Sequence, residues 1–131
     1  MGYTHYWRRA EQDISRADWA RAMARIRPII KSSADRLIEP SINGELLRFD
    51  GDCETFFVTR KFHSDFEFCK TRGRGYDDVV VACLLILAQE FKNYGFTWNS
   101  DGVWPNEHED GIKLSGIGRS DLIPPTRYTD K

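Results

Sequence analysis

The sequence predicts an α+β fold: a two-layer domain in which an antiparallel β-meander packs on helices, with one apolar helix at the centre. Residues 79–88 form the longest apolar run of the chain and are apolar on nearly every side of a helix, as a buried helix is. Asp50 and Gly51 separate two short runs that are rich in strand-forming residues. The predicted order of elements is β-α-β-β-β-α-β, which is typical of the α+β class.

The first helix is predicted to begin after Ser15. Ser15 and Asp18 have the spacing of a capping box, and an apolar stripe of helical period follows them. Pro28 removes one helical hydrogen bond, so we expect a kink or a break there. Residues 31–44 then predict the end of the helix and a loop.

A β-hairpin is predicted over residues 46–49 and 54–59. Its Asp-Gly pair suits a two-residue type I′ turn, which needs positive φ at both central positions. A third strand at residues 66–70 is expected to continue this meander. The apolar helix over residues 77–92 should pack across the sheet, and residues 96–98 predict the last strand.

The length of the chain, 131 residues, fits one domain. We expect residues 1–102 to form this single α+β domain. Residues 103–131 contain several glycines and a Pro-Pro pair, which indicate an irregular C-terminal extension that packs on the domain or is partly mobile.

The charge balance excludes one class of function. Lys and Arg total 19 against 20 Asp and Glu, so the net charge of −1 argues against general nucleic-acid binding, which depends on excess positive charge. The three cysteines include no CxxC pair and lie in apolar stretches, so we expect buried, reduced thiols. The apolar run is half the length of a membrane span, and no signal peptide is evident, so a cytoplasmic location is expected.

The loop of residues 70–75 is the first candidate for a ligand site. It leads from a strand into the start of a helix, where unpaired N–H groups and the helix dipole favour an anion. Its glycines let the backbone approach a ligand, and Arg72 and Arg74 are suited to grip phosphates. Asp77 and Asp78 favour the alternative, a basic turn whose helix is capped by carboxylates.

The aromatic N-terminal segment, residues 3–8, is the second candidate. It predicts a strand that places Tyr3, His5 and Trp7 on one face, with the intervening side chains on the other. Three rings on one face are able to stack a flat base. The alternative is that the same rings pack in the core beneath a helix.

Other polar groups add little to these two candidates. The acidic run at residues 107–110 lacks the spacing of a known metal motif, and no catalytic triad is recognisable. We therefore predict no catalytic residue, no metal site and no cofactor, while Glu54 and Asp101 are available to accept hydrogen bonds from a ribose. The predicted ligand-binding residues are Tyr3, His5, Trp7, Glu54, Lys70, Arg72, Gly73, Arg74, Gly75, Tyr76 and Asp101.

Four short blocks of the chain together look like those of a known group of proteins: MGYTHYW at residues 1–7, FCKT at 68–71, YD at 76–77 and SDG at 100–102. With these blocks the chain resembles a family of small uncharacterised proteins of phages, prophages and bacteria. Members often have Pro at the position of Gly75. The glycine in this chain makes the entry to the helix more flexible than a proline would. The resemblance implies an accessory role, by analogy with phage proteins that blunt host defence by sequestering nucleotide signals.

The function predicted from these observations is binding, with sequestration, of a phosphate-bearing small molecule derived from a nucleotide. Two alternatives stay open: a module that inhibits a host protein by contacting it, and a small enzyme acting on a nucleotide. A homodimer that closes the site from both sides is a further expectation.

Overall fold

The computed structural model describes residues 4–73 and 75–126 of the chain. It confirms the α+β class, with two antiparallel sheets of three strands each and three α-helices within these ranges. Short 3₁₀ turns connect several of the elements. The helices and strands are, in chain order, β1 Thr4–Arg8, α1 Arg16–Ser32, β2 Ile38–Ile42, β3 Leu46–Asp50, β4 Phe56–Thr59, β5 Phe66–Lys70, α2 Asp77–Glu90, β6 Thr97–Ser100 and α3 Glu109–Ser115.

The first sheet has the strand order β5-β1-β6, with β1 in the middle. Tyr6 on β1 lies opposite Phe68 on one side and Asn99 on the other. The prediction that β5 continues the meander after β4 is therefore wrong. β5 pairs instead with β1, which is distant in sequence. Strand propensity predicts that a segment is a strand but does not specify which strand it pairs with.

The second sheet is a meander of β2, β3 and β4, and it contains a strand that was not predicted. Residues 38–42 were expected to be a loop because of Pro40. β2 is an edge strand with an irregularity between Ile38 and Ser41, and edges and bulges are the places where a sheet tolerates proline. The β2–β3 turn is held by Asn43, whose Oδ1 accepts hydrogen bonds from the backbone N–H groups of Glu45 and Leu46.

The β3–β4 connection differs from the predicted type I′ turn. Phe49 is paired with Phe56, so the connection is longer than two residues, and Gly51 does not have positive φ. Gly51 has a different role: a Cβ atom at this position would overlap the ring of Tyr76. The glycine allows that ring to pack against the backbone of the loop.

Helix α1 begins as predicted, with the Ser15 Oγ accepting a hydrogen bond from the Asp18 N–H at 3.1 Å. The predicted break at Pro28 does not occur, because α1 continues to Ser32. Ile26, Ile29 and Ile30 are buried around the proline, and this packing offsets the missing hydrogen bond.

Helix α2 is the central element of the fold, as predicted. Every residue from 79 to 88 is buried, and α2 contacts α1, α3 and β6. Its end at Glu90 is two residues earlier than expected, and the chain then turns through Gly95, which has φ of 70°. The inner faces of the sheets meet beside it, where the Trp7 and Phe56 rings lie 5.0 Å apart.

The C-terminal extension is more regular than predicted. Residues 109–115 form α3, which packs on α2 with Gly111 directly against Val81. A Cβ atom on Gly111 would overlap the Val81 side chain, so the close approach of the two helices requires a glycine here. In the sequence this glycine was interpreted as a sign of a loop, but in the structure it allows α3 to contact α2.

The cysteines are free thiols, as expected, with Cys69 and Cys83 buried and Cys53 half-buried. Burial raises the pKa of Cys69 to about 12 and also raises the pKa of Cys83. Neither thiol is therefore a ready nucleophile. In the part of the chain that the structure describes, no helix is long and apolar enough to cross a membrane.

Candidate ligand-binding site

The basic loop lies where it was predicted, between the end of β5 and the start of α2. Arg72 is exposed and has φ of 58°, and Gly73 has φ of 65°. Gly73 and Gly75 line a cleft beside the loop, whereas Arg74 lies outside the described residues. Two successive residues of the loop thus have positive φ, and two of its glycines face the cleft.

Thr71 and Asp77 connect this loop to the core. The Thr71 hydroxyl donates to Asp77 Oδ1, and His5 Nε2 lies 2.6 Å from the same oxygen. Burial alone would raise the pKa of the Asp77 carboxyl, but the hydrogen bonds from His5 and Thr71 outweigh it and hold that pKa below its ordinary value. A half-buried carboxylate therefore joins β1, the loop and α2.

His108 belongs to the same interior region. Its Nε2 lies 3.0 Å from Ser100 Oγ, and its ring centroid is 6.1 Å from that of His5. Burial, followed by repulsion from His5, lowers the pKa of His108 to about 4. The imidazole is therefore neutral at pH 7 and is a weak proton acceptor.

A cleft of about 630 Å³ opens beside this network. We call it the acidic cleft, because its charged lining residues are Arg36, Asp77, Asp78, Glu107, Glu109 and Asp110. Several of these charges are already paired: Arg36 lies 2.7 Å from Asp78, and Glu109 accepts from Arg119. Carboxylates at the start of α2 and α3 disfavour a phosphate, so the charge of the cleft supports the carboxylate-capped alternative for the loop.

Two of the three N-terminal rings proposed for stacking lie in the core. His5 is fully buried, and Trp7 is 3% exposed against Phe56. The packing alternative is therefore the one observed for both: Trp7 packs on Phe56 of the other sheet, and His5 contacts Asp77 at the start of α2. Tyr3 lies outside the described residues.

Glu54 and Tyr76 hold the loop rather than face a ligand. Tyr76 is 1% exposed, and its hydroxyl donates to the Glu54 carbonyl at 2.6 Å. Glu54 Oε1 accepts from the Lys70 N–H at 2.8 Å, and the Glu54 N–H donates to the Lys70 carbonyl at 3.1 Å. These hydrogen bonds hold the segment around Glu54 against the outer edge of β5.

The opposite face of the first sheet carries a group of exposed rings that the sequence analysis missed. Phe66 and Phe68 are 37% and 55% exposed. The Tyr6 and Phe66 rings are stacked with centroids 6.0 Å apart, and the Phe66 and Phe68 centroids are 6.3 Å apart. With Arg8, whose guanidinium lies 4.7 Å from the Phe66 centroid, these residues form what we call the aromatic face.

The signal for the aromatic face was present in the alternation of β1 and β5. Tyr6 and Arg8 are the residues between the predicted set on β1, and Phe66 and Phe68 have the same period on β5. The pairing of β1 with β5, which brings the two sets together, could not be inferred from period alone.

The charge around the aromatic face differs from that of the acidic cleft. Among the ion pairs formed by the described residues, none involves Arg8 or Lys70, which stand on this side of the sheet. Asp101 is at its margin, accepting from the Tyr6 hydroxyl at 3.0 Å. Of the predicted ligand-binding residues, Lys70 and Asp101 therefore flank the exposed rings.

A pocket of about 330 Å³ adjoins the rings and extends across β1 to β6. Arg8, Phe66, Thr97 and Asn99 line it, together with Thr126 of the C-terminal extension. Its volume is at the lower end of the range for small-molecule sites.

No group of three or more His, Cys, Asp or Glu side chains within the described ranges is arranged to hold a metal ion. Comparison of the chain with protein-family models, with curated proteins and with solved structures finds no match.

Proposed function

We propose that this protein binds a phosphate-bearing, nucleotide-derived small molecule on the aromatic face. The observation that carries the proposal is a run of three rings with a guanidinium at one end: Tyr6 is half-buried, and Phe66 and Phe68 are exposed. Exposed aromatic rings on a sheet are a stacking platform for nucleobases, and each stacked base contributes about 1–3 kcal/mol. Adjacent large apolar side chains in water indicate a binding surface.

The charges support an anionic ligand at this face. Arg8 and Lys70 have no carboxylate partner among the described residues, and a guanidinium is able to bind a phosphate through two hydrogen bonds. The acidic cleft would repel the same group. We therefore propose that the phosphate binds near Arg8 and that the base stacks on the phenylalanine rings.

Holding the ligand, rather than converting it, fits the side chains available. Within the described part of the chain, neither the rings nor the pocket beside them include a histidine or a cysteine. His5 and His108 lie on the inner side of the sheet. We propose sequestration as the mode of action, which agrees with the accessory role that the resemblance to phage proteins implies.

A protein partner is the second candidate, since Phe66 and Phe68 lie on an edge strand that is able to accept another strand. Glu54 weighs against strand addition, because it occupies both backbone groups of Lys70 on that edge. An exposed patch around Trp19 or Trp104 would also favour a protein partner. However, Trp19 is 1% exposed, and Trp104 packs on Trp98.

Calorimetric titration with mono-, di- and cyclic nucleotides tests the proposal, together with mass spectrometry of the purified protein for a retained small molecule. Phe68→Ala should weaken nucleotide binding by about 1–3 kcal/mol, the contribution of one stacked base. Ile38→Ala is the matched control, because Ile38 is an exposed apolar side chain, 51% accessible, on the other sheet. If no nucleotide produces heat and the protein purifies empty, the proposal is wrong.

A further inference from the structure

Asn99 has a fixed orientation in the pocket beside the aromatic face. The backbone N–H of Ser100 donates to Asn99 Oδ1 at 2.8 Å. An N–H donor requires an oxygen acceptor, so this contact determines which end of the amide is the carbonyl. The Nδ2 amino group is the other end, and within the described residues it has no hydrogen-bond partner.

The pocket therefore presents donors in a defined arrangement. Asn99 lies opposite Tyr6 on the outward side of the sheet, and Arg8, a donor-only side chain, lines the same pocket. The hydroxyl of Thr97 is able to donate or accept. A ligand edge that carries acceptors matches this set, whereas an amino group would face another donor.

We propose, on the basis of the function proposed above, that Asn99 selects nucleotides whose base has a keto oxygen at position 4, as uracil does, over those with an amino group there, as cytosine has. The base stacks across Phe66 and Phe68 while its position-4 keto oxygen accepts from Asn99 Nδ2. Selection by one donor follows from the cost of burying two donors against each other without a partner.

Asn99→Asp inverts this preference without changing the size of the side chain. The Ser100 N–H still has an oxygen acceptor, but a carboxylate oxygen replaces the amino group. The new negative charge weakens binding of every nucleotide, so the informative quantity is the ratio of the dissociation constants for uridine and cytidine 5′-monophosphates. These two ligands share size and charge and differ at the base edge.

Titration of both monophosphates into the wild-type protein should show uridine monophosphate binding roughly threefold to tenfold more tightly. In Asn99→Asp the ratio should fall to one or invert. The control Asn93→Asp introduces the same charge at an exposed position after α2 and should leave the ratio unchanged.

The outcomes separate the two proposals. A wild-type protein that binds both monophosphates equally, or an Asn99→Asp ratio that equals the wild-type ratio, overturns the role of Asn99 while nucleotide binding stands. Absence of binding by either monophosphate, with no effect of Phe68→Ala on any nucleotide, overturns both.

Discussion

The aromatic face and the interior network that borders the acidic cleft lie on opposite sides of β1, and they use polar groups in opposite ways. In the interior region beside the cleft, His5, Thr71 and Asp77 bond to one another. On the aromatic face, Arg8 is ion-paired with none of the described residues, and Phe68 is more than half exposed. Groups that satisfy each other stabilise a fold, whereas groups directed at solvent are available to a ligand.

This contrast assigns stability to one side of β1 and binding to the other. Substitutions in the interior network should lower the free energy of unfolding. Substitutions on the aromatic face should change ligand affinity and leave that free energy nearly unaltered.

The largest effect on stability is expected in α2, the buried central helix of the fold. Leu84 is fully buried, and Leu84→Asp places an unpaired carboxylate in the core, which should prevent folding. Circular dichroism and NMR dispersion measure the loss, and Leu84→Ile is the conservative control, expected to cost less than about 1.5 kcal/mol. A cooperatively unfolding Leu84→Asp protein would contradict the central position of α2.

Asp77→Ala should lower the free energy of unfolding by about 3–5 kcal/mol, because it leaves His5 buried without its partner. Chemical denaturation measures the change. Asp35→Ala, at an exposed carboxylate, should change stability by less than about 0.5 kcal/mol. If Asp77→Ala instead abolished nucleotide binding at full stability, the assignment of the two sides would be reversed.

His108 should make stability depend on pH. Its folded pKa of about 4 lies below the ordinary value of 6.5, so the unfolded chain binds the extra proton first as pH falls. The stabilisation is fully present above about pH 6.5 and is lost as the pH approaches 4, by about 3 kcal/mol. Denaturation of the wild type and of His108→Gln across this range isolates the contribution, and equal slopes for the two proteins would exclude it.

Arg8→Gln gives the smallest change, and the most specific one. It should weaken binding of a nucleotide by about 1.5–3 kcal/mol, the value of a charged hydrogen bond, and weaken binding of the matching nucleoside less. Salt dependence of nucleotide binding should also decrease. Arg16→Gln is the control, since the Arg16 side chain is 75% exposed on α1. Equal losses for nucleotide and nucleoside would show that Arg8 does not contact the phosphate.

Local features of this fold could be predicted, and long-range ones could not. The Ser15 cap and the apolar helix α2 follow from neighbouring residues alone. β2 was missed because Pro40 is a strong loop signal, and only its edge position makes it compatible with a strand. The partner of β5 depends on which surfaces meet in the folded chain, information that a period of two does not contain.

The candidate site shows the same limit. Alternation divided β1 into two sets correctly, but which set is buried depended on Asp77, distant in sequence, being available to His5. Because His5 is hydrogen-bonded to Asp77, it can be buried. The other set, which includes Tyr6 and Arg8, therefore faces outward. Asp77 and Asp78 beside the loop were expected, but Glu109 and Asp110 come from α3, which was expected to be irregular.

The central place of β1 has a consequence for the order in which the chain acquires structure. β1 is synthesised before both of its neighbours, β5 and β6, which lie far along the chain from it. The β2–β3–β4 meander needs only local contacts and is expected to form earlier, because distant pairings must overcome a larger loss of chain entropy. In pulsed hydrogen exchange during refolding, β3 and β4 amides should gain protection before those of β1. The aromatic face, built across β1 and β5, would then form after the meander, and a nascent chain would bind no ligand there before β5 has been synthesised.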